Sequence, residues 1–161
     1  MAKFTHIDDE GRVRMVDVTD KKPTAREALA SGAVFMRSET LELIRNQKVK
    51  KGNVLETARI AGIMAAKKTS ELSPMCHPLS ITHVQVDFLP DAAKRCIEIE
   101  ATVRAIDQTG VEMEALTAVS VAALTIYDMC KSSDKQMIIS DIQLLKKTGG
   151  KSGPFERKKS E

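Results

Sequence analysis

Strand, helix, hairpin, helix, strand: this order of elements predicts an α+β fold of the split β-α-β type (βαββαβ) seen in ferredoxin-like domains. Three observations predict it. Two stretches alternate apolar and polar residues on either side of a short turn sequence, two others carry apolar residues at helical spacing, and an extended run stands at each end. An N-terminal arm and an extra short helix decorate this frame. Because such a fold hosts many functions, it decides none.

Residues Met1 to about Lys22 are polar apart from the patch Val13 to Val18, which predicts an arm with a brief strand, free to pack on a neighbour. From Thr24 to Met36, TAREALA has helical propensity while Gly32 and AVFM favour an extended run; a strand is expected. Arg26 falls on it, as a solvated cation or a ligand contact. Ser38 is a reasonable N-cap for a short helix, Glu39 to Asn46, with Leu41 and Ile44 facing inward. Gly52 and Asn53 then break the chain. Asn53 with Glu56 resembles a capping box, and the helix that follows runs to about Lys68 with Val54, Ala58, Ala61 and Ala65 on one side.

Lys51 therefore sits just before a helix N-terminus, where free amides and the helix dipole favour an anion such as phosphate. The bland alternative is a solvated lysine in the run Lys48, Lys50, Lys51. SPMCHPLS, Ser73 to Ser80, lies between Pro74 and Pro78 and is expected to be a rigid extended loop that fixes Met75, Cys76 and His77. A histidine so held is a candidate ligand or proton carrier. Ile81 to Leu89 and Arg95 to Ala105, joined by PDAAK, form the predicted hairpin.

Gly110 to Lys131 is the longest predicted helix. Ala115, Leu116, Val119, Ala122, Ala123, Ile126 and Cys130 share its core face. Thr109 and Glu112 fit a capping box. A second stripe of short side chains runs between two acids, Glu114 and Asp128, with Lys131 about one turn beyond. Glu112 reads as a cap or a catalyst, and Asp128 with Lys131 as a surface pair or a proton-transfer pair. Gln136 to Lys146 is the last predicted strand, and the chain beyond Pro154 is expected to be disordered. GGKSG is not a P-loop, because Leu145 stands where that motif needs glycine and no helix follows.

Composition narrows the function classes. At 161 residues, 42% hydrophobic and 29% charged, one soluble domain is expected, residues 1–150, followed by a flexible basic tail, 151–161. The net charge of +3 is concentrated from Lys146 onward, where six cations meet two acids, leaving −1 for the body. That distribution is unlike the broad basic face of a nucleic-acid binder, and 3% aromatic content leaves little for base stacking. Cys76, Cys96 and Cys130 are odd in number and lack CxxC spacing, which argues against disulfides and structural zinc. No apolar leader or uninterrupted membrane-length apolar run is seen, so a cytoplasmic protein without membrane partners is expected.

The motifs MVDV, MRSETL, KGNV, ARIAGI, CHPL, GVEMEALTA, ALTIYDMCK and GGKSG occur in this order across nearly the whole chain. Together they resemble the molybdenum-cofactor biosynthesis protein C family, the cyclic pyranopterin monophosphate synthases. The resemblance implies a ferredoxin-like protomer in a homohexamer, a trimer of dimers with active sites at the dimer interface. It also implies a substrate, the cyclised dihydro-GTP (3',8-cyclo-7,8-dihydro-GTP), whose imidazole ring is opened and rebuilt as a pyranopterin while a cyclic phosphate closes and pyrophosphate leaves.

Matched position by position, Asp128 and Lys131 resemble the family's acid/base pair and Lys51 a second proton-transfer or phosphate-contacting group. Met75, Cys76, His77, Met113 and Glu114 resemble substrate-binding segments, with Glu112, Lys147 and Arg26 in support. Asn53 departs from the acid common after the family's Lys-Gly pair, which alters only local charge. No redox cofactor is called for; Mg²⁺ would assist pyrophosphate departure, although no dedicated carboxylate cage is seen. The alternative from another class is a non-catalytic ferredoxin-like module that binds a nucleotide or RNA. One geometric point stands out: Glu114 and Asp128 lie about 21 Å apart along a straight helix. An antiparallel two-fold packing of that helix, centred near Val121, would bring the first of one protomer to the second of its mate.

Overall fold

In the computed structural model, which describes residues 6–158, the elements follow the order β1 (Thr24–Phe35), α1 (Ser38–Arg45), α2 (Val54–Lys67), α3 (Thr69–Leu72), β2 (Ile81–Asp91), β3 (Cys96–Asp107), α4 (Glu112–Cys130), β4 (Ile138–Thr148) and β5 (Phe155–Glu156). The sheet order β2-β3-β1-β4-β5, antiparallel throughout, is the split β-α-β arrangement with one short strand added at the edge. This is the predicted fold.

Period-two alternation decides which face of the sheet is covered. Ala28, Ala30 and Val34 of β1 and Ile97, Ile99, Ala101, Val103 and Ala105 of β3 are buried on one side, where α4 and α2 lie against them. Fully burying each isoleucine contributes about 1.5–3 kcal/mol. Small residues set the spacing of the layers. Gly32 faces Val119, whose Cγ1 would stand 2.7 Å from any Cβ placed there, so only glycine lets α4 approach β1 this closely. Gly62 of α2 does the same for α4: a Cβ would meet the Ala118 carbonyl at 3.0 Å. The α4 stripe of short residues thus receives α2 in this chain at Ala118. By length and composition α4 is the one helix among the described residues able to cross a membrane, yet half of it is buried in this core.

Several local expectations are corrected. The arm has no strand at Val13 to Val18, only the single bridge Ile7–Val13. Ser38 is the first residue of α1 and not its cap; the Arg37 amide is instead taken by the Asp134 carboxylate, 2.9 Å away. Thr109 and Glu112 form no capping box, because α4 begins at Glu112 and the Thr109 hydroxyl turns toward the Gly110 carbonyl. Asn53 does cap α2, accepting from the Glu56 amide at 3.2 Å. The short helix α3 precedes the 73–80 loop, whose remaining residues are tied by a Ser80 amide donation to Asp107, 3.0 Å. From Phe155 to Arg157 the expected disorder is corrected: Phe155 and Glu156 pair with Lys147 and Lys146, and the Arg157 amide reaches the Leu145 carbonyl at 2.8 Å. The bare edge of β4 accounts for this pairing. The arm's first five residues and the tail's last three lie outside the described residues.

Candidate functional site

The predicted site residues gather at the two ends of α4. At its N-terminal end a cavity of 330 Å³ is walled by Met75, Cys76, His77 and Leu79 of the 73–80 loop, by Thr109, Gly110, Glu112, Met113 and Glu114 at the start of α4, and by His6, Val16, Val18 and Lys21 of the arm. A neighbouring cavity of 640 Å³ shares Lys21, Thr109, Gly110 and Glu112, and adds Lys22, Arg26, Lys147, Gly150, Lys151 and Ser152 among others. The first has a buried carboxyl and sulfur atoms in its wall. The second is ringed by cations.

Glu114 is 3% exposed and forms part of the wall of the first cavity. Burial pushes its pKa up to about 7, and the charges of Glu112 and Asp107 act in the same direction against its own backbone amide. A glutamate so placed either donates or accepts a hydrogen bond near neutral pH. Glu112 is half-buried and 3.4 Å from the Lys147 ammonium. Burial raises the Cys76 thiol, with the Glu114 charge adding in the same direction.

Arg26 is held by backbone. Its guanidinium donates to the carbonyls of Asp107 (3.3 Å) and Gln108 (3.0 Å) at the end of β3. Gly149 and Gly150, at φ +89° and +81°, turn the chain after β4, and at Gly150 a side chain would overlap Arg26. The two glycines of GGKSG therefore carry Lys147 and Lys151 past Arg26, which explains the motif without a P-loop.

At the C-terminal end of α4 stand Lys51, Asp128 and Lys131, all exposed. Lys131 Nζ is 2.7 Å from Asp128 Oδ1; Lys51 Nζ lies 3.6 Å from Asp128 Oδ2 and donates to the Asp128 carbonyl at 2.9 Å. Lys51 thus reaches the end of α4 rather than standing as a free anion site before α2. The hydrogen bond from Lys131, with its charge and that of Lys51, holds Asp128 below the usual carboxylate range. The same bond raises Lys131. The trio sets two lysine side chains around one carboxylate, an arrangement in which an acid and a base stand in mutual contact.

All eleven predicted residues therefore fall in two groups, and within one chain the groups do not meet. Sequence reasoning missed the arm's contribution: Lys21, Val16, Val18 and His6 close over the first cavity. The apolar patch Val13 to Val18 in an otherwise polar arm was the available signal. Among the described residues no group of three or more His, Cys, Asp or Glu converges as metal ligands would.

Comparison with known proteins bears on this arrangement. The sequence matches the MoaC family over residues 15–150. It is 66% identical over 155 residues to the cyclic pyranopterin monophosphate synthase of Desulforapulum autotrophicum, covering 96% of this chain and 95% of the relative. Against the protein of that name from Desulfatibacillum aliphaticivorans it is 65% identical, covering 96% and 98%. Against that from Pelotomaculum thermopropionicum it is 60% identical, covering 100% and 95%. These relatives carry an enzyme's name, which gives the non-catalytic binding-module alternative no support.

Proposed function

Because the chain belongs to the MoaC family, we propose that it is a cyclic pyranopterin monophosphate synthase of molybdenum cofactor biosynthesis, acting in the cytoplasm as a phosphorus-oxygen lyase on the cyclised dihydro-GTP. The observation that carries this reading is full-length similarity to synthases of that name, joined to a site with a base-sized cavity beside a cation-ringed one.

The substrate's parts fit these two cavities. The purine-derived base enters between Met75, Cys76, His77, Met113 and Glu114, where the Glu114 carboxyl meets its polar edge. The triphosphate, about four negative charges, lies toward Lys147, Arg26 and Lys21. Lys131 with Asp128, and Lys51 beside them, supply and remove protons as the imidazole ring opens and the pyranopterin ring forms. A substrate hydroxyl then attacks the α-phosphorus; its proton passes to a base, the bond from that phosphorus to the bridging oxygen breaks, and pyrophosphate leaves with the electron pair. Mg²⁺ would assist that departure by neutralising the phosphates.

Since the two groups of residues stand at opposite ends of one helix, the complete site takes the cavity of one protomer and Asp128 of the partner subunit, within a homohexamer built as a trimer of dimers. Pyrophosphate release and mass detection of the pterin, comparing the intact protein with D128A and K131A, test the reaction. Product from the intact protein alone supports it; none from folded intact protein and competent substrate overturns it. Mixing E114A and D128A after subunit exchange tests the two-chain site, and no recovery of activity in verified mixed dimers would count against it.

A further inference from the structure

The most buried acid among the described residues lines neither cavity. Asp134 is 2% exposed and lies on the turn that follows α4, three residues after Lys131. Its Oδ2 accepts from the Arg37 amide (2.9 Å) and the Thr40 hydroxyl (3.3 Å); its Oδ1 accepts from the Gln136 amide (3.1 Å) and faces the Arg37 guanidinium at 3.5 Å. Arg37 also donates to the Ser133 carbonyl. Burial opposes the charge, yet the Arg37 and Gln136 amides and the Arg37 charge hold the carboxyl below its ordinary range.

These contacts join segments nearly a hundred residues apart. Asp134 caps α1 from outside, since α1 has no cap of its own. It also fixes the turn, which otherwise hangs from α4 by the Ser133 and Asp134 amides to the Cys130 carbonyl (2.9 and 3.0 Å) and by the Tyr127 hydroxyl to the Lys135 carbonyl (3.1 Å). Both sides of this clamp lead to proton-transfer groups. Lys131 opens the turn, and the loop carrying Lys51 leaves the far end of α1. The lysine heads themselves are held to Asp128 by exposed ion pairs, which fix geometry weakly.

We propose that Asp134 is a positioning residue for the reaction: it clamps the α1 N-terminus to the turn after α4 and so sets where Lys131 and Lys51 stand relative to Asp128. The inference rests on the assignment of those three residues to proton transfer. A displacement of about 1 Å at such groups costs up to roughly 10²-fold in rate.

The test uses D134N, which keeps the volume but replaces one acceptor by a donor facing amides, with T40V and R37A as milder variants that leave the main-chain contacts in place. Two readouts are taken on folded protein: steady-state turnover, and pulse acetylation of each lysine read by peptide mass, which needs no substrate. For D134N, kcat falls about 10–100-fold with KM within about threefold, and Lys131 and Lys51 label several-fold faster while exposed lysines such as Lys67 do not change. T40V and R37A give smaller shifts in the same direction. Folded D134N with kcat and Lys131 labelling both within about twofold of the parent would overturn the proposal. If D134N does not fold, parental kcat and labelling in both T40V and R37A would overturn it equally. An inactive parent would instead overturn the synthase reading, and the labelling result would still decide whether Asp134 positions the lysines.

Discussion

The two ends of α4 hold carboxylates that chemistry alone would treat as alike, and the fold separates them. Glu114 is buried beside a cavity, and its pKa is pushed up to about 7. Asp128, about four helical turns on, is exposed and held low by Lys131 and Lys51. Burial disfavours the charged form at one end, and a hydrogen-bonded cation favours it at the other. One end presents a carboxyl that takes up a proton near neutral pH; the other holds a carboxylate paired with two lysines.

The comparison breaks most sharply at Lys131. K131A removes the proposed proton-transfer partner and leaves Asp128 paired with Lys51 alone, and product formation should fall by about 10²–10⁴-fold in an assay of pyrophosphate release. Thermal unfolding should show no change, since both partners are exposed. A parallel loss of stability would mean that this end of α4 is structural.

How much of this was readable beforehand depended on distance along the chain. Ala115, Val119, Ala122 and Ile126 betrayed α4 by spacing, and Val54 and Ala58 betrayed α2, because core faces are set by local periodicity. Asn53 was found as a cap because its partner lies three residues away. Ser38 was misread for the converse reason: the acceptor that serves the start of α1 is Asp134, 97 residues from Arg37, and no local pattern announces it; Thr109 was misread because α4 starts only at Glu112, beyond the reach of a Thr109 cap. Phe155 and Glu156 were lost in the same way, since a hydrophilic tail gives no sign that a free sheet edge awaits it. The site residues came from residue patterns and motif resemblance, and helix length already set Glu114 apart from Asp128; the structure added the cavity at one end and that Lys21 joins it.

At the other end, E114Q keeps the shape and removes the charge. If the carboxylate takes up the bound base, kcat/KM should fall about 10–100-fold, the loss appearing mainly in KM. A KM unchanged with kcat reduced would move Glu114 from binding to proton transfer and make the two ends more alike. A smaller effect is expected at Gly150, whose φ of +81° and contact with Arg26 leave no room for a side chain. G150A should raise KM a few-fold and cost about 1–3 kcal/mol of stability, as Arg26 loosens from the carbonyls of Asp107 and Gln108.

The least conspicuous consequence concerns stability and pH, and here the two acids differ in sign. The folded-state pKa of Glu114 is raised from 4.5 to about 7, so the folded protein binds that proton more tightly than the unfolded chain. Its contribution is fully present below pH 4.5 and is lost as pH rises through 7. Asp128 is depressed below 3.8, so its contribution is present above 3.8 and lost only in stronger acid. Between pH 5 and pH 8, denaturant titrations should therefore show the parent losing stability relative to E114Q, by no more than about 3 kcal/mol, while D128N runs parallel to the parent. If E114Q also ran parallel, Glu114 would titrate as an ordinary surface acid, and the contrast between the ends of α4 would rest on exposure alone.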